Sequence, residues 1–195
     1  MVSITSSVEK ALGNSGPGWA GVRDAANAGT TLDAITYPAN GKDSTNYHIY
    51  RSPVIYDTSG IPVGATITQC RFYFFPTNVY NTHNDSIMVL RSSDWSRPSN
   101  PIVASDYDRQ WWDSSLGSKA IADIIDDAWN YIDLNLATCI NLGGSTRYYI
   151  VSKKDYDNVG PATNGFNGVY CIDTNKTYLD IAYTLGGKKK VVIVV

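Results

Sequence analysis

The sequence predicts an all-β fold: an antiparallel jelly-roll β-sandwich with a short N-terminal helical arm and a C-terminal extension strand. Two observations indicate this class. Runs rich in Tyr, Ile, Val, Thr and Phe recur along the 195 residues and are separated by turn residues rather than by regular helices. Of the 18 acidic residues only Glu9 is a glutamate, and aspartate favours turns and caps over helix interiors.

The first 18 residues are predicted to form the helical arm. Ser6 and Glu9 have the spacing of a capping box, in which each side chain satisfies a backbone N–H of the other. Val8, Ala11 and Leu12 then supply a short apolar face over about two helical turns. A break rich in Gly, Pro and Ser follows, so we expect the globular domain to begin at Trp19.

The stretch from residue 47 to residue 75 is predicted to be a pair of strands around which the domain is organised. Two β-rich runs flank the turn sequence Asp57-Thr58-Ser59-Gly60-Ile61-Pro62. In the second run, Ala65 and Ile67 have the opposite parity to Cys70, Phe72 and Phe74. A bulge near residues 68 and 69 would return all of them to one face.

Further strands complete the predicted domain, which extends from residue 19 to residue 185. They are predicted near residues 32–37, 86–92, 102–105, 119–128, 129–136, 147–152, 168–172 and 178–184. The segment 119–128 also fits helical spacing, and a strand is the favoured interpretation. The residues expected between the two sheets are Ile67, Phe72, Phe74, Ile132, Leu134, Leu179 and Ile181.

The last ten residues differ from the rest in composition. Gly186 and Gly187 precede three lysines, and the chain then ends in five consecutive β-formers, Val191, Val192, Ile193, Val194 and Val195. Two interpretations remain open. These residues are the final strand of the domain's own sheet, or they add a strand to a neighbouring subunit as an assembly contact.

Composition argues against several kinds of partner. The net charge of −2 gives no general attraction for nucleic acid, and no segment approaches the ~18 apolar residues of a membrane span. The N-terminus shows no secretory signal. Cys70, Cys139 and Cys171 match no metal spacing, so we expect reduced, buried thiols in a chain folded in a cytoplasm, although a pairing of Cys139 with Cys171 stays open.

The order of motifs resembles a known family. Tyr50-Arg51, the turn at residues 56–67, Trp129 with Asp133-Leu134, and the closing Leu179-Asp180-Ile181-Ala182-Tyr183 resemble the DNRLRE-type, carbohydrate-binding-module-like jelly rolls. Trp19 with Arg23-Asp24-Ala25 and the stretch 155–161 are similar to a version found in structural proteins of tailed phages. The resemblance covers residues 19–184 and implies a virion protein or, alternatively, a binding module of a cell-surface or adhesion protein.

Candidate chemistry is sparse. His48 and His83 have no Ser or Cys in a recognised nucleophile motif, so no enzyme activity is expected. The pairs Asp106/Asp108, Asp155/Asp157 and Asp126/Asp127 carry oxygens of the kind that calcium prefers, but none completes a known loop, and solvated turn aspartates are the favoured interpretation. No cofactor is predicted beyond this optional structural calcium.

For carbohydrate, flat aromatic faces are the candidates. Trp95, Trp111 and Trp112 are predicted to stack on sugar rings in this alternative, with Tyr80 and Tyr107 as further rings. Since neighbouring residues of a strand point to opposite faces, one of Trp111 and Trp112 is expected in the core. Core packing or a protein contact is the favoured use of these rings.

Together these observations predict a non-enzymatic structural component of a phage or virus particle. We expect a head decoration or fibre-like protein, with a tail part as the less favoured position, assembled in the host cytoplasm. Its predicted partners are other virion proteins and copies of itself as a homo-oligomer, with a glycan as the possible ligand of the alternative.

Overall fold

The computed structural model describes residues 1–33 and 36–186 of the chain. Its strands are β1 (Val2–Gly16), β2 (Thr30–Asp33), β3 (Ala39–Lys42), β4 (Tyr47–Asp57), β5 (Ala65–Phe74), β6 (Asn78–Asn81), β7 (Ser86–Ser92), β8 (Trp112–Ala120), β9 (Asn130–Asp133), β10 (Ser145–Ser152), β11 (Gly165–Tyr170) and β12 (Tyr178–Leu185). Two short helices, α1 (Trp19–Arg23) and α2 (Lys153–Asp157), accompany them. Every strand pair within the described ranges is antiparallel, as predicted.

The strands form two layers that share β1. Residues 2–5 of β1 pair with β12, which continues to β5 and β9. Residues 6–16 pair with β4, and the C-terminal half of β4 continues to β10, β7 and β8. The N-terminal half of β4 instead pairs with β3, from which a branch continues to β11 and β6. The result is the predicted antiparallel β-sandwich of jelly-roll type.

The main hydrophobic core lies between the layers and confirms the predicted inward residues. Phe72, Phe74, Ile132, Leu134, Leu179 and Ile181 are all buried in it, and Ile67 packs against it while partly exposed. The predicted bulge in β5 is also present. Ala182 pairs with Gln69 and Tyr183 with Ile67, which leaves Thr68 as the extra residue.

The predicted N-terminal helix is wrong, because residues 2–16 form strand β1. Both Ala11 and Leu12 are fully buried, as expected of a strand covered on both faces rather than of an exposed arm. The Ser6 hydroxyl does donate to the Glu9 carboxylate, but within a strand that carries a bulge between Ser6 and Val8. The division of the chain at residues 18 and 185 stays a prediction.

Two predicted strands are also wrong. Around residue 104 the Asp106 carboxylate accepts from the Val103 N–H at 2.9 Å, and the backbone turns into the 3-10 segment Ala104–Tyr107. Beyond β8, the side-chain amide of Asn130 bonds the backbone of residues 125 and 128 and folds that segment into a turn. In each case a polar side chain captures backbone groups that a strand would have used.

Three further observations bear on the remaining expectations. Of the strand predicted at residues 32–37, residues 32 and 33 end β2 and Thr36 forms an isolated bridge with Cys171, while residues 34 and 35 lie outside the described residues. The five β-formers Val191–Val195 also lie outside them, so both interpretations of that segment stay open. Among the described residues, no helix is long and apolar enough to cross a membrane.

Candidate functional site

Three of the residues quoted for the family resemblance, Arg23, Arg51 and Asp155, meet inside the protein. Arg51 forms a two-pronged ion pair with Asp155, with Nε and Nη2 at 2.7 and 2.8 Å from the two carboxylate oxygens. Its other N–H groups donate to the carbonyls of Tyr107 and Arg23 at 2.6 and 2.7 Å. The guanidinium also lies over the rings of Tyr107 and Trp112. These motif residues therefore join β4, α1, α2 and the long loop before β8, and they hold the fold together.

Burial alone would lower the pKa of Arg51, but the charge of Asp155 and its hydrogen bonds outweigh burial, so the pKa is raised. Both side chains are fully buried. The ion pair is thus a fixed structural element and offers no group to a ligand.

The aspartates considered for calcium do not fit a calcium site. The carboxylate of Asp106 is fully buried and accepts from Arg97, Ser99 and Val103. That of Asp155 is taken by Arg51. No cluster of three or more metal-binding side chains of the His, Cys, Asp or Glu type occurs in the described part of the chain. With their oxygens bound to cations and N–H groups, Asp106 and Asp155 serve as internal anchors.

The three tryptophans predicted for sugar stacking are half-buried and packed internally. Trp95 lies against the main core near Tyr148. Trp111 donates its indole N–H to the Ser105 carbonyl at 3.1 Å, and Trp112 makes an edge contact with Tyr149. Trp111 and Trp112 pack on the same small cluster, because Trp111 ends a 3-10 turn and strand alternation begins only after it. Their role in sugar binding stays a prediction.

The remaining predicted groups are placed as follows. His48 Nε2 lies 2.8 Å from Asp43 Oδ2, and no Ser or Cys is hydrogen-bonded to His48 within the described residues. His83 Nε2 is buried without a hydrogen-bond partner. Tyr107 is fully buried, and all three cysteines are free and buried. Of these groups, the His48 side chain reaches the surface, where it is 20% exposed beside Asp43.

An aromatic surface missed by the sequence analysis lies on the outer face of β12, β5 and β9. Because Leu179, Phe72 and Ile132 point into the core, their neighbours Tyr178, Tyr73 and Tyr131 must point outward. The strand register places these three tyrosines directly opposite one another. Tyr73 and Tyr178 stack with ring centroids 4.7 Å apart and planes 5° apart, and Tyr131 lies 5.4 Å from Tyr73.

Two more rings extend this surface at one end. Trp129 contacts Tyr178 with ring centroids 5.1 Å apart, and Phe75 contacts Trp129 at 5.5 Å. Trp129 and Tyr131 remain 46% and 41% exposed. We call the five residues Phe75, Tyr73, Trp129, Tyr131 and Tyr178 the tyrosine face. It is a continuous aromatic surface open to solvent.

A charged row runs beside the tyrosines on the same outer face. Asp180, Arg71 and Asp133 are opposite one another on β12, β5 and β9. Arg71 donates to Asp133 at 2.8 Å, which raises the pKa of the guanidinium, and it also covers the Tyr131 ring. Asp180 accepts from Gln69 at 3.1 Å through Oδ2, while its buried Oδ1 has no hydrogen-bond partner. Polar groups of both signs therefore line the aromatic surface.

Part of the tyrosine face could be predicted from the sequence. Alternation along residues 129–136 already put Tyr131 and Asp133 on the face opposite Ile132 and Leu134. Tyr73 lies between two core phenylalanines in the same way. Only the register between three strands that are distant in sequence shows that the outward tyrosines are neighbours.

Comparisons with known proteins do not show a family for this chain. No protein-family model and no curated protein matches the sequence. One solved structure that is similar is described as a study of the promiscuous specificity of carbohydrate-binding modules from the β-sandwich superfamily. The identity is 13%, the TM-score is 0.26, and the match covers 89% of this chain and 56% of that one. The chain thus spans little more than half the length of that structure.

Proposed function

We propose that the protein is a non-catalytic binding domain that holds a carbohydrate chain against the tyrosine face. The observation that carries the proposal is the row of three opposed tyrosines next to a row of Asp and Arg side chains. Aromatic rings pack against the C–H faces of sugars, and flanking polar groups bind the hydroxyls and set orientation. The tyrosine row supplies the aromatic contacts, and the exposed Arg71 and Asp133 side chains on the same outer face supply the polar ones.

The rings of the tyrosine face differ in exposure, so they would make different contacts with a sugar. Tyr73 and Tyr178 cover each other's faces, so they present edges and hydroxyls. Trp129 at one end retains exposed ring surface, whereas Tyr131 at the other end is exposed together with the Arg71 guanidinium that covers its ring. Three neighbouring strands span roughly 10 Å, since strands lie about 4.8 Å apart. That width suits a short run of linked sugars that stacks on Trp129 at one end and contacts Tyr131 and Arg71 at the other.

The non-catalytic part of the proposal is supported by the state of the two carboxylates. Glycoside hydrolysis uses one carboxyl group as acid and another as base or nucleophile on either side of the scissile bond. Here Asp133 is ion-paired with Arg71, and Asp180 is only 7% exposed. Neither carboxylate is placed to attack or protonate a bound sugar.

Titration of soluble polysaccharides and oligosaccharides against tryptophan fluorescence tests this proposal. Trp129 is the exposed reporter, so a bound sugar should shift its emission, and Trp129→Phe should remove that signal. Tyr131→Ala should weaken binding by about tenfold, the effect expected of a residue worth about 1.4 kcal/mol at an interface. Tyr80→Ala, on a different surface, is the matched control and should bind normally.

Two outcomes would overturn the proposal. One is the absence of binding across a broad panel of glycans. The other is binding that survives Trp129→Ala and Tyr131→Ala but disappears with changes at Trp95, Trp111 or Trp112, which would assign the site to those tryptophans instead.

A second proposal concerns assembly, namely that the chain is a virion component bound to other virion proteins and to copies of itself. The observation in its favour is the place where β12 ends. Leu185, the last residue of β12, is exposed and pairs with Ala65, so this end of the sheet is accessible. Deleting residues 187–195 should leave a folded domain that no longer self-associates in analytical ultracentrifugation. Unchanged self-association, or an unfolded domain, would contradict this role of the tail.

A further inference from the structure

A second aromatic site lies on the branch formed by β6, β11 and β3. Tyr37, Tyr80 and Phe166 line a cleft of about 180 Å³ there. The register places Gly168 of β11 between Tyr80 of β6 and Ala39 of β3. Phe166, two residues before Gly168 on the same strand, shares its face of the branch.

Two of the three walls are fixed by packing. Tyr37 contacts the rings of Tyr50 and Tyr170 at centroid distances of 4.9 and 5.4 Å. Phe166 lies over Gly41, where a Cβ atom would collide with its ring, and it contacts His48 at 5.5 Å. These rings are therefore held in place before any ligand arrives.

The third wall is free to close on an occupant. Tyr80 is 44% exposed, and its side chain makes no hydrogen bond and no ring contact within the described ranges. Tyr37, Tyr80 and Phe166 also make no ring contact with one another there. Gly168 cannot be enlarged, since a Cβ atom would meet Ala39 and the Pro38 carbonyl. The structure thus has three separated rings around a gap.

We propose that this cleft is an aromatic cage for a methylated ammonium group, such as the head of a quaternary amine. A cation lying within about 6 Å of an aromatic centroid is attracted to the negative face of the ring. A neutral group of the same size would gain burial alone, whereas a methylated ammonium gains burial of its methyl groups and attraction to three rings. The volume is suitable, because a protein cavity of about 150 Å³ holds one benzene molecule.

The uncharged lining of the cleft is compatible with a cationic occupant. None of the three lining residues is charged, so an entering cation meets no like charge on the walls. Burial, followed by the neighbouring tyrosines, raises the pKa of Tyr37 to about 12, so its hydroxyl remains a neutral dipole.

Cation–π contacts elsewhere in the chain also support a cationic occupant. Exposed or half-buried rings of this protein repeatedly receive a cation from the chain itself. Arg71 covers Tyr131, Arg97 covers Trp111 and Lys42 covers Tyr47. Within residues 1–33 and 36–186, no side-chain cation covers the three rings of the cage, which leaves their faces available to an external one.

The test uses choline and tetramethylammonium as probes, with 3,3-dimethyl-1-butanol as the neutral isostere of choline. Binding to the full chain is followed by calorimetry and by NMR shifts. We expect choline to bind about tenfold more tightly than the isostere, as the loss of cation–π attraction predicts. Tyr80→Ala should weaken choline binding by a similar factor, and Tyr80→Phe should retain it because the ring is kept.

Tyr131→Ala, on the tyrosine face, is the control and should leave choline binding unchanged. Since Tyr80 is exposed, its variants should melt at the wild-type temperature, which separates lost binding from lost folding. Equal affinity for choline and the isostere, no binding of either ammonium probe, or equal effects of Tyr80→Ala and Tyr131→Ala would each overturn the proposal. The outcome is independent of carbohydrate binding, which involves a different surface.

Discussion

Replacing Asp155 by Asn should destabilise the protein strongly while changing the side-chain volume very little. The carboxylate supplies both oxygens of the two-pronged pair with Arg51, and both side chains are fully buried. An arginine side chain stays protonated in proteins, so the variant would bury a positive charge without its counter-ion. Two backbone carbonyls and two rings would remain as its partners.

Removing one partner of a buried ion pair costs about 3–5 kcal/mol. The total unfolding free energy of a domain is about 5–15 kcal/mol, so the loss is about a fifth of it or more. For a chain of this length each kcal/mol corresponds to about 2–4 °C in the melting temperature. The expected decrease is therefore about 6–20 °C.

Urea unfolding followed by tryptophan fluorescence measures the effect. Lys153→Ala is the matched control, because it breaks an exposed ion pair with Asp157 in the same helix and should cost less than about 1 kcal/mol. The double variant Arg51→Met with Asp155→Leu should recover much of the loss, since both charges are then removed. If Asp155→Asn costs no more than Lys153→Ala, the buried pair does not stabilise the fold as argued.

Two further predictions concern pH and the N-terminal strand. Backbone N–H groups of Thr45 and Asn46, followed by His48, hold the pKa of Asp43 well below its usual range, so its contribution to stability is present above about pH 4 and is lost at lower pH. Asp43→Asn should therefore lower the melting temperature at pH 7, and this difference from wild type should shrink steadily as the pH falls below about 4, so a difference that stays constant with pH would contradict this. Deleting residues 1–16 removes a strand that pairs with β2, β4 and β12, so the remaining chain should show no cooperative unfolding, and a normal thermal transition would show that β1 is dispensable.

Local pattern was enough to predict the centre of the fold. The strands β4 and β5 have β-rich composition on both sides of a clear turn, and the parity change within β5 located the bulge at Thr68. Two of the strands that were missed are short and polar. Asn78–Asn81 and Ala39–Lys42 become strands because β11 supplies a partner on each side, and that information is not local.

The candidate sites show the same limit. Alternation identified which face Tyr131 occupies, but its proximity to Tyr73 and Tyr178 depends on the register of three strands between residues 65 and 185. The cage depends in addition on the pairing of β11 with both β3 and β6, which brings Phe166 and Tyr80 to the same branch as Tyr37. Trp111 and Trp112 were candidates for sugar stacking in the sequence, yet in the structure both pack against an internal cluster.

Glu9 explains why the N-terminal segment is a strand despite its helical motif. In a regular strand, residues three apart point to opposite faces, and the bulge after Ser6 brings its hydroxyl to the Glu9 carboxylate. Thr177 donates its backbone N–H and its hydroxyl to the same carboxylate at 2.8 and 2.5 Å, and Thr36 donates at 3.1 Å.

A helix cap contributes about 0.5–2 kcal/mol. A hydrogen bond to a charged group contributes about 1.5–3 kcal/mol net, and Glu9 accepts four of them from three separate parts of the chain. The strand also buries Ala11 and Leu12 completely, which an isolated two-turn helix could not do. The tertiary hydrogen bonds of Glu9 therefore stabilise the strand by several kcal/mol more than a capping box would stabilise a helix. Glu9, the only glutamate of the chain, links β1 to the segments that contain Thr36 and Thr177.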